Sequence, residues 1–291
     1  MRTGGSDRAP RGDRVRRLRQ AAAARLRAAG VASPEFDADE LLAHVLGTAR
    51  GRLILADPPT PAQERAYDDL ISRRAGREPL QHLTGVAHFR HVTLAVGPGV
   101  FVPRPETEAL VGWVVEALAS VERPRIVDLC TGSGAIPLAL HDEIPGAILH
   151  AVELDPPAVA YAQRNLAGTG VDLRAGDFAT AFDDLLGRSD VVTCNPPYVP
   201  LEAWESVTPE ARDHDPHLAL FSGDDGLDAF RILEARAARL LRPGGLLAAE
   251  HAEVQSEAVV SLFATSGRWT DVRDRRDLAG RPRFVTARLA R

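Results

Sequence analysis

The run Asn195-Pro196-Pro197-Tyr198 directly follows an apolar segment at 191–194. It presents two oxygen acceptors in a stiff frame, the side-chain carbonyl of Asn195 and the backbone carbonyl of Pro196. Proline has no N–H and a fixed φ, so no donor competes and the carbonyl is held in place. Two such acceptors would grip the N–H bonds of a planar amine or amide, whose delocalised lone pair makes it a poor nucleophile. They would also stabilise positive charge developing on that nitrogen, and Tyr198 could stack on its face. Asn-Pro-Pro is equally good turn chemistry, so the meaning of the tetrad depends on its surroundings.

Three other segments supply those surroundings. Asp128-Leu129-Cys130-Thr131-Gly132-Ser133-Gly134 follows an apolar run and opens a helix-like one. Its glycines allow a tight turn and close backbone approach to a ligand, with unpaired helix N–H groups behind them. It is no dinucleotide fingerprint, because Pro137 stands where the third glycine belongs. A phosphate loop would need a Lys, and the chain has none. Glu153 ends the next apolar run, where a carboxylate can accept both hydroxyls of a ribose. Asp177-Phe178 follows the third, where an acid and an aromatic suit the exocyclic amine and face of adenine. Taken singly, each is an ordinary loop residue. At successive strand tips they describe an adenosine pocket without a diphosphate clamp, which points to S-adenosylmethionine and to methyl transfer onto a planar nitrogen.

The elements that must position these residues are legible. Short apolar runs at 125–130, Ile148–Glu153, 171–174, 191–194 and 246–250 alternate with helical stretches at Ala135–Glu143, 157–168 and 228–241. That alternation predicts a mainly parallel sheet covered by helices, with ligands beyond the carboxyl ends of its strands. Before residue 85 the pattern is helical: Leu18, Ala22 and Leu26 share one face, and Ser33-Pro34-Glu35 reads as a helix start with Ser33 as cap. Residues 86–96 alternate as a β segment, with Gly97-Pro98-Gly99 as a turn. The expected organisation is a disordered basic tip (1–12), a helical substrate-recognition domain (13–84), a β-hairpin linker (85–105) and a catalytic α/β domain (106–291).

From this point the sequence resembles the HemK-type (PrmC family) protein-(glutamine-N5) methyltransferases that modify peptide chain release factors. Glu78-Pro79-Leu80-Gln81-His82-Leu83-Thr84-Gly85 looks like that family's junction between helical domain and hairpin. Phe101-Val102-Pro103-Arg104-Pro105-Glu106-Thr107-Glu108 looks like its signature ahead of the methyltransferase core. The loop 128–134, Glu153, the tetrad, Asp215-Pro216 and Glu250-His251 fall in the family's order. The resemblance implies a seven-stranded class I (Rossmann-like) domain with S-adenosylmethionine over Thr131, Gly132, Ser133 and Gly134. It also implies Glu153 on the ribose, Phe178 beside adenine, and Phe101 and Arg104 lining the cavity. The glutamine of a Gly-Gly-Gln motif would bind at Asn195, Pro196, Pro197 and Tyr198. The sequence departs from the family at Cys130 (usually Gly), Pro137 (usually a helix former) and Phe178 (often Trp). Cys130 and Cys194, ending neighbouring strands, should both lie near the floor of the site as inert thiols.

Composition narrows the field. A net charge of −5 argues against an electrostatic nucleic-acid clamp, and the lack of Lys excludes Schiff-base chemistry. No apolar stretch approaches the ~18 residues that span a bilayer. Arg16-Arg17 is followed by no continuous apolar region, as an export signal would require. Two cysteines cannot form a disulfide framework and point to a reducing compartment, so a cytoplasmic monomer free of nucleic acid and membrane is expected. His214 and His217 lie too close in sequence for a usual metal site, so no metal is assigned. His251 reads as a residue that orders the sheet edge. Arg104 could pair with Glu106 or Glu108 or position the loop over the cofactor. The leading alternative function is N-methylation of adenine or guanine in DNA or RNA; a cofactor-sensing module without turnover is the non-enzymatic one.

Overall fold

The computed structural model describes residues 11–291. The tip expected to be disordered over 1–12 lies outside them except for its last two residues, which already belong to a helix. The chain divides into two compact units between Gly85 and Val86.

The first unit is helical: α1 (Arg11–Ala28), α2 (Pro34–Leu46), α3 (Pro61–Ala75) and the short α4 (Leu80–Thr84). Ala22, Leu26, Leu41, Leu42, Tyr67 and Ile71 bury the faces that these helices share. Pro34 starts α2 as expected, but the Ser33 side chain makes no capping bond. A capping box at Thr60 and Gln63, not anticipated, begins α3 by satisfying two otherwise orphaned donors. One ion pair is buried here. Arg74 Nε donates to Asp37 Oδ2 at 2.7 Å with both side chains 8% exposed.

The second unit opens with strands β1 (Val86–Phe89) and β2 (Val92–Ala95). Their turn is at Arg90, with φ +50, and Gly97-Pro98-Gly99 makes the expected turn after β2, where Val100 N donates to Gly97 O at 3.3 Å. Ala87, Phe89, Leu94 and Val96 are buried in the same core as Leu110, Val114, Ile136 and Leu140. The hairpin expected as a linker is thus a packed part of this unit.

Helix α5 (Glu108–Ala117) follows, then β3 (Arg125–Leu129), α6 (Ala135–Glu143), β4 (Ile148–Glu153), α7 (Pro156–Asn165), β5 (Asp172–Ala175) and β6 (Ser189–Cys194). Two short helices, α8 (Pro209–His214) and α9 (His217–Leu220), precede α10 (Asp228–Leu240), β7 (Leu241–Glu250), α11 (Ser256–Thr265), β8 (Trp269–Arg276) and β9 (Pro282–Leu289). The seven-stranded sheet has the order β5-β4-β3-β6-β7-β9-β8, parallel from β5 to β7 and antiparallel through β9 and β8.

The parallel strands are near-continuous apolar runs because both faces are covered. Ile126, Val127, Leu129, Val191, Val192 and Cys194 are all fully buried. The strand order reverses direction at β3, whose neighbours are β4 on one side and β6 on the other. The loops after β3 and β6 therefore open onto a crevice of the kind that binds ligands.

Removing one partner of the Asp37–Arg74 pair would strand a charge inside the helical unit. Asp37→Ala is expected to lower that unit's stability by roughly 3 kcal/mol or more, read as a lower denaturant midpoint. An unchanged midpoint would show the pair to be dispensable.

Candidate active site

A cavity of about 710 Å3 lies at the carboxyl end of the sheet, within the size range of small-molecule sites. Phe101, Arg104, Thr131, Gly132, Ser133, Glu153, Phe178, Asn195, Pro197 and Tyr198 line it, so ten of the expected residues are brought together. Four are not at its wall. Gly134 caps α6 with φ +84, and a Cβ there would meet Leu166 at 3.1 Å. Pro196, the second residue of the tetrad, is buried. Asp177 is exposed, and its Oδ1 accepts from Ala179 N at 2.9 Å. It caps its own turn, as an acid at such a position readily does, and it stands between two residues that do line the cavity, Gly176 and Phe178.

The fourth, Asp128, lies under the loop. It is 1% exposed and accepts hydroxyls from Thr131 at 2.6 Å and from Thr193 at 2.7 Å. Asp128 and Thr193 are register partners in β3 and β6, so this bond ties the two site-bearing strands together just before they end. Burial pushes the carboxyl up to about 7, against the two hydroxyls.

The loop above it is held from the next strand. Glu153 Oε2 accepts from Gly132 N at 2.7 Å, and Oε1 accepts from Leu154 N at 2.8 Å and Asp155 N at 2.9 Å. Three backbone donors leave the carboxylate fixed in orientation, with lone-pair capacity to spare for a ligand. Gly132 has φ +56, and a Cβ there would point into open space. Asn165, which the sequence did not single out, donates to Ser133 O at 2.8 Å and to Ala95 O at 2.9 Å, tying the loop to β2.

Cys130 begins the loop with φ +59, a left-handed conformation that explains why glycine suits the position. The neighbouring thiol of Cys194 is pushed well up, chiefly by burial and further by Cys130. Both cysteines are free; Cys130 lines the cavity as expected, while Cys194 is buried in the core of the sheet behind it and held in its unreactive thiol form. Pro137 falls in the first turn of α6, where no helical N–H is lost.

Opposite the loop stands the tetrad. Asn195 Nδ2 donates to Thr107 Oγ1 at 3.4 Å. Among the described residues, no donor reaches Asn195 Oδ1 or the Pro196 carbonyl oxygen. Tyr198 Oη donates to Glu250 Oε1 at 3.2 Å, and its backbone oxygen accepts from Gln255 Nε2 at 2.8 Å. Burial, and then the charge of Glu250, push the phenol well above its ordinary range, so Tyr198 stays a donor. Gly226 explains the tight fit: a Cβ there would come within 2.3 Å of the Tyr198 carbonyl oxygen, at a φ of +75.

Arg104 pairs with neither Glu106 nor Glu108. Its Nη2 lies 2.6 Å from Oδ2 of Asp215, whose side chain is wholly buried. The guanidinium also sits 4.9 Å from the Phe101 ring centroid. This pair joins the segment before α5 to the loop after the tetrad. Burial raises Asp215 to about 6, against the pull of Arg104. His251 is fully buried with Nε2 3.1 Å from Asp274 Oδ1, outside the cavity wall and suited to ordering the sheet edge. His217 packs edge-on against Trp204 at 4.9 Å. Among the described residues no group of three His, Cys, Asp or Glu could hold a metal ion, and no helix is long and apolar enough to cross a membrane.

The first unit matches the family model described as the PrmC N-terminal domain over residues 17–85, and the second matches the methyltransferase small domain over 92–210. The release factor glutamine methyltransferase of Streptomyces coelicolor is 54% identical over 268 residues, covering 91% of this chain and 95% of that protein. The protein of the same name from Mycolicibacterium smegmatis is 50% identical, covering 96% of this chain and 99% of its own length. That from Deinococcus radiodurans is 43% identical, covering 95% and 99%. Among solved structures, the hMettl16 catalytic domain superposes with a TM-score of 0.54 at 17% identity, covering 76% of this chain and 82% of that one. That likeness speaks for the fold.

Glu153→Gln would set an NH2 group among three N–H donors. Cofactor affinity is expected to fall about tenfold or more, measured by calorimetry with S-adenosylmethionine; unchanged affinity would remove Glu153 from the site. Cys130→Gly relieves the left-handed backbone and is expected to raise stability by about 1 kcal/mol, seen as a higher Tm.

Proposed function

This chain belongs to the release factor glutamine methyltransferase family, and on that premise we propose how its site works on the side-chain amide of a release factor glutamine. It is an S-adenosylmethionine-dependent methyltransferase. The methyl group goes to the N5 nitrogen of the glutamine in the Gly-Gly-Gln motif. The observation that carries the reading is a pair of unpartnered acceptors at the tip of β6, Asn195 Oδ1 on the cavity wall and the carbonyl of Pro196 next to it, beside the strand that carries the cofactor loop.

The residues present fit the cofactor. Thr131, Gly132 and Ser133 supply a backbone cradle, Glu153 a pre-oriented carboxylate for the ribose, and Phe178 and Phe101 apolar walls. When bound, S-adenosylmethionine supplies an electrophilic methyl on a sulfonium. The chain does the rest by position. Asn195 Oδ1 and the Pro196 carbonyl each accept an N–H of the glutamine amide, which holds its nitrogen and favours positive charge on it. Tyr198 and Pro197 confine the planar amide. No side-chain base is needed, because the nitrogen becomes acidic once methylated.

Contact with nucleic acid is not invoked. The two arginines at the cavity wall, Arg104 and Arg283, lie near Asp215 and Asp277 and are not set out to track phosphates. The free thiols agree with a cytoplasmic setting.

Incubation with labelled S-adenosylmethionine and a release factor, followed by mass mapping, is expected to place one methyl on the Gly-Gly-Gln glutamine and none on a Gln→Ala substrate. Asn195→Ala should keep cofactor affinity and lose transfer by about 100-fold or more. Label on DNA or RNA with none on release factor would overturn the proposal.

A further inference from the structure

Beneath the tetrad lies a polar cluster that the transfer described above does not use. Glu250, at the end of β7, is 1% exposed and faces two hydroxyls. Its Oε2 accepts from Thr107 Oγ1 at 2.5 Å, and its Oε1 accepts from Tyr198 Oη at 3.2 Å. Thr107, also buried, accepts from Asn195 Nδ2 at 3.4 Å. A hydroxyl has one hydrogen. When Glu250 is ionised, that of Thr107 is committed to the carboxylate, and the short separation is typical of a charge-assisted bond. The Thr107 oxygen then has only lone pairs to offer, so it can face the NH2 of Asn195 but not Oδ1. This breaks the near-symmetry of the carboxamide, whose two ends have almost the same shape. Oδ1 toward the cavity accepts from a substrate N–H; the flipped amide would set N–H against N–H.

The geometry points to Glu250 and Thr107 as positioning residues that lock the Asn195 carboxamide with its oxygen toward the substrate nitrogen, an inference that rests on the glutamine methyltransferase reading. They act through Asn195 and, on the other side of the carboxylate, through Tyr198. Besides these partners, Arg283 from β9 and Glu106 beside Thr107 act on Glu250, and Arg104 acts on Tyr198. Burial lifts Glu250 to about 7, against Thr107, Arg283 and Tyr198, while Glu106 adds to the rise. A protonated Glu250 carries a hydrogen of its own and releases Thr107 from its commitment. The locked form is the deprotonated one, so transfer should increase as pH rises through about 7. Asp128, beneath the cofactor loop, is also lifted to about 7 and is the other group able to titrate there.

The test compares the full-length wild type with Thr107→Val, Thr107→Ser and Glu250→Gln, measuring kcat and KM on release factor and Kd for S-adenosylmethionine. Thr107→Val and Glu250→Gln are expected to lose about 10- to 100-fold in kcat with cofactor Kd within about twofold. Thr107→Ser, which keeps the hydroxyl, should restore kcat to within about threefold of wild type. The wild-type rise through pH 7 should vanish in both impaired variants. Thr107→Val is nearly isosteric and carries the test if Glu250→Gln does not fold. The inference is overturned if Thr107→Val turns over like wild type, if cofactor affinity falls in parallel with kcat, or if the pH limb survives both substitutions and so belongs to Asp128. A wild type that leaves release factor unmethylated would instead strike the functional reading itself.

Discussion

The carboxyl ends of β3 and β6 stop side by side in a parallel sheet, and the site depends on that adjacency. Leu129 pairs with Cys194, so the cofactor loop and the Asn195 tetrad begin at the same height on neighbouring strands. Because the strand order turns at β3, no helix or strand fills the space above them. One residue earlier, Asp128 and Thr193 are hydrogen-bonded across the pair at 2.7 Å. A one-residue slip in this register would break the Asp128–Thr193 bond and set the two halves of the site out of step. Strand pairing therefore sets the distance between the halves, and the Asp128–Thr193 bond fixes the register just below them.

Upon that frame, each side of the cavity is held by a buried or half-buried carboxylate reading hydroxyls or backbone N–H groups. Glu153 fixes the loop through Gly132, Asp128 supports it through Thr131, Glu250 braces Thr107 and Tyr198, and Asp215 anchors Arg104. The same chemistry recurs because an ionised carboxylate accepts only, so every partner's hydrogen is assigned without ambiguity. A neutral amide in any of these places would leave two arrangements nearly equal in energy. Orientation, more than strength, is what these acids contribute.

Much of this was legible in the sequence where the determinant is local. Helix α6 occupies Ala135–Glu143 as its pattern foretold, and strand tips were marked by the change from apolar run to Gly, Asn or acid. The tetrad and Glu153 stand out because their types are unusual immediately after a buried strand. What escaped notice depends on distant partners. Arg104 and Asp215 are 111 residues apart and Thr107 and Glu250 are 143 apart, so neither pairing has a local signature. Asp177 is ambiguous for the opposite reason: an acid after a strand serves a ligand or its own turn equally well, and its Oδ1 accepts from the turn while Oδ2 takes no part in that bond. Strand β8, rich in Arg and Asp, carries no apolar alternation because it is the sheet's edge, where charge discourages further pairing.

The buried acids also set how stability and function trade against one another. Asp128 and Glu250 are both lifted to about 7, chiefly by burial, from ordinary values near 4. For an acid raised in the folded state, the native chain binds more protons than the unfolded one between those two values. Their contribution to stability is therefore complete below the unfolded values and is lost as pH rises toward and through 7. Lifting one such acid from near 4 to about 7 takes on the order of a few kcal/mol of folding stability between acid and neutral pH, more than one hydroxyl bond returns. Packing alone would replace such groups by apolar residues of similar volume. Their presence on both sides of one cavity follows instead from the need to hold Thr131 and Asn195 in single orientations, so the site's geometry is bought with fold stability held in the apolar sheet below it.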